Sequence, residues 1–317
     1  MTRSHLAIGP EGLNLLGFLT SLGTLVVLTR AWPERTVRLS WAMPRTGPGA
    51  GGWRPVFHVE PPVSESEIVE VVHAQVTDPR ALEALEGLER NLRVSGAVLR
   101  ERATTFWEGR GDRRAADLLA ALMAHVGSSQ EVRPSPLRAL TGAGHMHFLD
   151  TLRALSDPDR LSKDHVARAL FQPWTYEDTR FTFRWDPSDF RPYALRARDP
   201  ARDPVHPIRT EWGANRLAFE ALVLFPMTWS GEAVGFRGQE LRWPLWTPPA
   251  GADVVRSLLA HPALFEPHRQ EAALQALGVA VVASARRFLG ERGAHVYFTP
   301  ARIVWAGELT AAAGWSG

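Results

Sequence analysis

The sequence predicts an α+β protein, a helix-rich single body with short antiparallel strands. Three observations carry that expectation. Apolar residues recur at helical spacing over long stretches, as in Leu217, Ala218, Ala221, Leu222 and Phe225. Short alternating, β-branched segments such as Thr36 to Trp41 stand between them. The N-terminal pair of such segments is too small to be stable alone, so it must bury its second face against later elements. One α+β domain over residues 1–317 follows, with a sub-boundary allowed at the Ser- and Pro-rich linker Gly127 to Pro136.

The elements run in this order. Gly12 to Thr29 is 18 residues without a charge, at the lower limit for a membrane span. Asn14, Thr20, Ser21 and Thr24 interrupt it, Gly17 and Gly23 lower its hydrophobicity, and no basic cluster flanks it. A buried helix ending before Pro33 is expected instead. A signal peptide is not, because Glu11 precedes the apolar run and no clean cleavage site follows. Thr36 to Trp41 and Pro55 to Val59 read as strands around a flexible GPGAGG loop that lacks the Gly-Lys-Ser/Thr ending of a phosphate loop. Ser64-x-x-Glu67 is a capping box opening a helix to about Val76. Pro79 opens a second helical pattern through Leu92, with Gly96 as an interruption, and Asp112 to Val126 is a further amphipathic helix. Ser162 caps a helix reaching Leu170, and Phe181 to Asp186 alternates like a strand. Gly213-Ala214-Asn215 starts a helix with Asn215 as its cap, and Pro226 ends it. Ala252 to Leu259 is helical, His268 to Leu289 reads as a long helix, and Val296 to Trp305 is a strand broken at Pro300. The tail from Ala311 to Gly317 has no pattern.

Composition excludes some chemistry. There is no cysteine, so disulfides, thiol catalysis and cysteine-ligated metal centres are out. The formal net charge is +2, too small for diffuse attraction to nucleic acid, so any such contact needs a local patch. Lys163 is the only lysine; the basic side is otherwise arginine, whose fork suits phosphate. Twelve tryptophans are read as core or interface anchors.

The local basic excess lies between Arg180 and Arg216, with eight arginines against five acids. Arg184, Arg191 and Arg216 stand beside the turn-formers Pro187, Pro192 and Gly213, which makes them candidate phosphate contacts; pairing with Asp186, Asp189 and Glu211 inside the fold is the plainer alternative. Gly142 and Gly144 form a Gly-rich turn before a helix, where backbone N–H groups can face a phosphate. His145 and His147 do not share a helix face and lack a third ligand, so no metal and no cofactor is expected. Asp186 and Asp189 are read as turn residues. A metal-dependent phosphodiesterase using His145, His147, Asp186 and Asp189 is the alternative activity.

Four segments together resemble a known family. They are LLGFLTSLGTLVVL with RLSW, LTGAGHMHFLDTLRAL, RWDPSDFRPYAL, and GANRLAFEALVLFP followed by GFRG and WPLW. In this order, from about Leu15 to Trp246, the chain resembles the CRISPR-associated family of type I-G (formerly type I-U) systems called the Cas-three extension family, related to the large subunits of Cascade-type effectors. The resemblance implies a non-catalytic cytoplasmic protein of prokaryotic antiviral defence, partnered by a guide-RNA complex and a helicase–nuclease, with RNA or DNA contacts and no membrane. Gly142 and Gly144, Arg184-Trp185-Asp186, Asp189-x-Arg191 and Asn215-Arg216 match its motifs, which makes Asn215 a further candidate contact. Phe190 and Val223 depart from them, where a second charged residue and a proline are expected.

Overall fold

A helix with almost no solvent face lies at the centre. In the computed structural model, which describes residues 3–108, 113–127, 131–142, 146–189, 208–289 and 296–307, the charge-free run forms α1 (Leu15–Ala31). Asn14 caps it, Oδ1 accepting from the Gly17 N–H at 3.2 Å. The hydroxyl residues that interrupt the run are buried but satisfied. The Thr20, Ser21 and Thr24 hydroxyls donate to the carbonyls of Leu16, Gly17 and Thr20 at 2.7, 2.8 and 2.8 Å. Among the described residues no helix is long and apolar enough to cross a membrane.

The two expected N-terminal strands gain a third. β1 (Arg3–Leu6), β2 (Thr36–Ala42) and β3 (Arg54–Glu60) form an antiparallel sheet in the order β1-β3-β2. Its inner face carries Val37, Leu39, Trp41, Phe57 and Val59, all buried. The capping box holds as read: α2 (Glu65–Thr77) starts where Ser64 Oγ accepts from the Glu67 N–H at 3.1 Å and Glu67 Oε2 accepts from the Ser64 N–H at 2.7 Å.

The next stretch departs from expectation. The pattern from Pro79 yields only a 3-10 turn, Pro79–Leu85, and α3 (Gly96–Glu108) begins at the glycine read as an interruption. Leu92, at φ 58°, turns the chain between them. After α4 (Arg113–Leu122), β4 (Met123–His125) pairs with β5 (Val132–Pro134), so the stretch read as a linker contains a strand. α5 (Phe148–Ser156) and α6 (Lys163–Phe171) follow, the latter capped by Ser162 as expected. β6 (Asp178–Thr179) pairs with β7 (Arg209–Thr210). Phe181 to Asp186 is not a strand. Arg180 and Arg184, at φ 76° and 63°, break the extended backbone, and five consecutive residues, Thr182 to Asp186, are buried in place of an in–out alternation.

α7 (Trp212–Glu220) runs into a 3-10 turn, Ala221–Leu224, and stops before Pro226 as read. Its N-cap is Glu211, not Asn215. α1 packs along α7 through their apolar faces, and Thr20 Oγ1 also lies 3.1 Å from the Ala214 carbonyl.

The largest difference is at the C-terminus. After β8 (Phe236–Arg237), β9 (Glu240–Trp246) and α8 (Ala252–Leu259), the expected long helix shrinks to α9 (Glu271–Ala276). Gly278, at φ 71°, turns the chain, and Val279–Leu289 is an 11-residue strand, β10. β10 pairs with β9 along one edge and with β11 (Val296–Phe298) and β12 (Arg302–Ala306) along the other. Pairing on both edges overrides the helical propensity of its alanines, and Val279, Val281 and Val282 favour the extended form. The resulting five-stranded antiparallel sheet is tied to the N-terminal unit by two indoles. Trp243 Nε1 donates to the Gly12 carbonyl at 2.9 Å and Trp246 Nε1 to the Leu39 carbonyl at 2.8 Å. Phe18 stacks on Trp41 and Trp243, with centroids 5.8 and 5.6 Å away. The tail beyond 307 lies outside the described residues.

Candidate nucleic-acid interface

Three of the candidate residues, Arg184, Asn215 and Arg216, lie inward. Arg216 is fully buried; its Nη1 donates to Glu220 Oε1 at 2.9 Å and its Nε to the Val76 carbonyl at 3.1 Å. Its acid is therefore Glu220, one turn along α7, and not Asp186 or Glu211. Asn215, also fully buried, accepts from the Phe183 N–H at 2.8 Å and donates to Thr210 Oγ1 and the Glu211 carbonyl at 2.8 and 3.0 Å. It stitches α7 to the 181–186 segment. Arg184 is 3% exposed, its guanidinium 4.8 Å from the centroid of Tyr297 and 3.4 Å from Met146 Sδ. The Gly142 N–H is spent on the Met146 carbonyl at 3.1 Å. These groups are not presented to a phosphate backbone in this conformation. Arg191 and Gly144 lie outside the described residues.

Two groups of the alternative activity, Asp186 and His147, are engaged in the fold as well. Asp186 accepts from the Ser188 N–H at 2.7 Å, the turn role expected of it, and from the Tyr176 hydroxyl at 3.1 Å. His147 Nδ1 lies 3.0 Å from Asn91 Oδ1. His145 and the Asp189 side chain lie outside the described residues. Among the described residues no group of three or more His, Cys, Asp or Glu is placed to hold a metal.

A basic surface does exist, on the outward face of the C-terminal sheet. In β9, Leu241, Trp243 and Leu245 turn into the core while Glu240 and Arg242 turn out. Ser284 of β10 stands directly opposite both Arg242 of β9 and Arg302 of β12, and Arg286 stands opposite Glu240. Side chains opposite each other on adjacent strands share a face at about 5 Å. The register therefore lays Arg302, Ser284 and Arg242 in a row across three strands. Arg237 joins from β8; its guanidinium and that of Arg242 lie 4.6 and 5.2 Å from the centroid of Phe265. This packing holds two otherwise mobile side chains in place.

Two clefts open on this face. One, of about 480 Å³, is lined by Arg237, Gln239, Glu240, Ser284, Arg286, Thr299 and Arg302. The other, of about 430 Å³, adds Arg242, Phe265, Glu266, His268 and Arg269. Together they hold five arginines and two acids. One of those acids is committed: Glu240 accepts from Arg242 Nε at 3.1 Å, Arg242 Nη2 at 3.3 Å and Ser284 Oγ at 2.6 Å. Burial acts to raise its carboxyl, but the hydrogen bonds from Ser284 and Arg242 outweigh it and hold Glu240 below the ordinary value. Glu240 stays charged and anchors Arg242, with Arg302 Nη2 3.6 Å from its Oε1, while Arg237, Arg286 and Arg302 are exposed residues. The Thr299 hydroxyl completes a lining suited to an anionic, hydrogen-bond-accepting ligand.

Sequence reasoning missed this face because its strand β10 was read as helix. The signal was present in the alternation of Ala283, Ser284, Ala285 and Arg286. Comparison with family models, with curated proteins and with solved structures returned no match for this chain.

Proposed function

We propose that this chain is a non-catalytic subunit of a prokaryotic CRISPR antiviral effector. It works in the cytoplasm beside a guide-RNA complex and a helicase–nuclease, and it contacts nucleic-acid backbone through the outward face of the C-terminal sheet. The class rests on the segments between Leu15 and Trp246 and their resemblance to the type I-G family. The contact rests on one observation, the five arginines against two acids around the two clefts of this face. In RNA-guided effectors base pairing reads the sequence and the protein holds backbone. A chain of net charge +2 then needs a concentrated patch and not global basicity.

The test is fluorescence anisotropy of the full chain with labelled duplex DNA and single-stranded RNA across a salt series. Arg286→Ala and Arg302→Ala, both exposed, are each expected to weaken binding of all sequences alike and to lower the salt slope by about one unit. Unchanged slopes would remove the sheet face from the account. Failure of the neighbouring effector proteins to co-purify with this chain would remove the class.

A further inference from the structure

A second basic cluster lies on other elements, where α1, α2, α4 and α7 meet. Glu220, 3% exposed, sits at its centre. Arg30 Nη1 donates to Glu220 Oε2 at 3.0 Å, Arg114 Nη2 to Oε1 and Oε2 at 3.1 and 3.3 Å, and Arg216 Nη1 to Oε1 at 2.9 Å. Three guanidiniums thus share one carboxylate. The nearby acid, Asp78, feels the charge of Arg114 but is held by Arg80 at 2.8 Å. The cluster keeps an excess of two positive charges.

Its hydrogen bonding is incomplete in the same sense. Arg216 Nε is used by the Val76 carbonyl and Arg30 Nε by Gln75 Oε1 at 3.3 Å. Arg216 Nη2 and Arg30 Nη2 are buried with no partner. Buried donors of this kind are uncommon in folded proteins and call for an explanation. The two acid–base partners also respond unequally. Burial works against both charges. In Glu220 the charges of Arg216, Arg114 and Arg30 outweigh it and push the carboxyl down to about 2. In Arg216 burial, helped by the like charges of Arg114 and Arg30, outweighs Glu220 and lowers the guanidinium from its ordinary value. One added anion would relieve Arg216.

We infer that this junction is a binding site for a phosphate monoester dianion, gripped by Arg30 and Arg114 above a floor formed by Arg216 and Glu220. Arg30 and Arg114 have side chains 26% and 24% exposed, so the junction meets solvent through these two residues, and an anion has to displace the Arg30 side chain slightly to meet its buried Nη2. A phosphate monoester carries about −1.5 to −2 charges near neutral pH, which cancels the excess; a carboxylate would leave about one positive charge behind. Arginine forks also match phosphate oxygens in pairs. The site shares no residue with the sheet face and does not depend on it.

The test uses the full chain and inorganic phosphate at constant ionic strength, with Tm as the readout. A saturable rise of about 4 °C is expected at roughly 100 times Kd. Acetate at the same concentrations is expected to give no such rise, and Arg114→Gln to abolish the phosphate response. If that variant does not fold, Arg30→Lys, which keeps the charge and loses the fork, is expected to weaken phosphate binding about 10-fold or more. No saturable rise, an equal rise with acetate, or a rise that survives whichever variant folds would overturn the site. Free phosphate and the terminal phosphate of a nucleic acid share this chemistry. Preference for a 5′-phosphorylated over a 5′-hydroxyl oligonucleotide, lost in the variant, identifies the polymer end; no preference identifies the free ester or ion.

Discussion

Gly23→Ala is expected to destabilise the protein by about 3 kcal/mol or more, against the sign that helix propensity alone predicts. Alanine inside a helix is favoured over glycine by about 1 kcal/mol. Gly23, however, faces the α7 backbone. A Cβ built there lies 2.7 Å from the Leu217 carbonyl carbon and 3.2 Å from the Ala221 nitrogen. Carbon atoms pack at about 3.5 to 4.0 Å, so the helices must separate. Separation is costly here because α1 is buried nearly all round and its Phe18 is locked between Trp41 and Trp243. The Thr20 hydroxyl, which also reaches the Ala214 carbonyl, would lose that contact. Urea unfolding of both proteins checks this. A midpoint for Gly23→Ala equal to or above that of the parent would mean that α1 and α7 are not in backbone contact.

What was legible in the sequence was local. The Ser64–Glu67 box specifies its own helix start within four residues, and Ser162 caps α6 where the chain changes character, whereas Asn14, read as an interruption of the charge-free run, is the cap of α1. The charge-free run can be buried as one helix because its hydroxyls bond one turn back, which needs no distant partner. β10 was not legible because Val279 to Leu289 mixes alanines with valines and suits either period; its state is decided by strands β9 and β12, distant in sequence. The basic face was hidden for the same reason, since Arg242, Arg286 and Arg302 come together only through strand register. Arg216 presents a different failure. Its surroundings in sequence are turn-formers and charges, which suggested a surface contact. Glu220 at i+4 was the available sign that the guanidinium had a partner on its own helix.

Glu220→Gln is expected to cost about 3 to 5 kcal/mol, because it leaves the fully buried Arg216 without a counter-charge while keeping the shape of the side chain. The same group sets a pH signature. The Glu220 carboxyl is pushed from 4.5 down to about 2 in the folded state. A depressed acid stabilises fully above its unfolded pKa, and that stabilisation is lost as pH falls through the folded value. The contribution should therefore be complete at pH 6 and fade between about pH 5 and 2. Other carboxylates titrate in this window with mixed sign. Asp178 and Glu240 are also depressed, whereas burial raises Glu11 and Glu211. Comparing the parent with Glu220→Gln removes those shared groups. The parent should be the more stable at pH 7, and the two Tm curves should converge toward pH 2. Parallel curves would mean that Glu220 is not held charged by Arg30, Arg114 and Arg216. Convergence would show that this one carboxylate stabilises the junction of four helices by keeping three guanidiniums together.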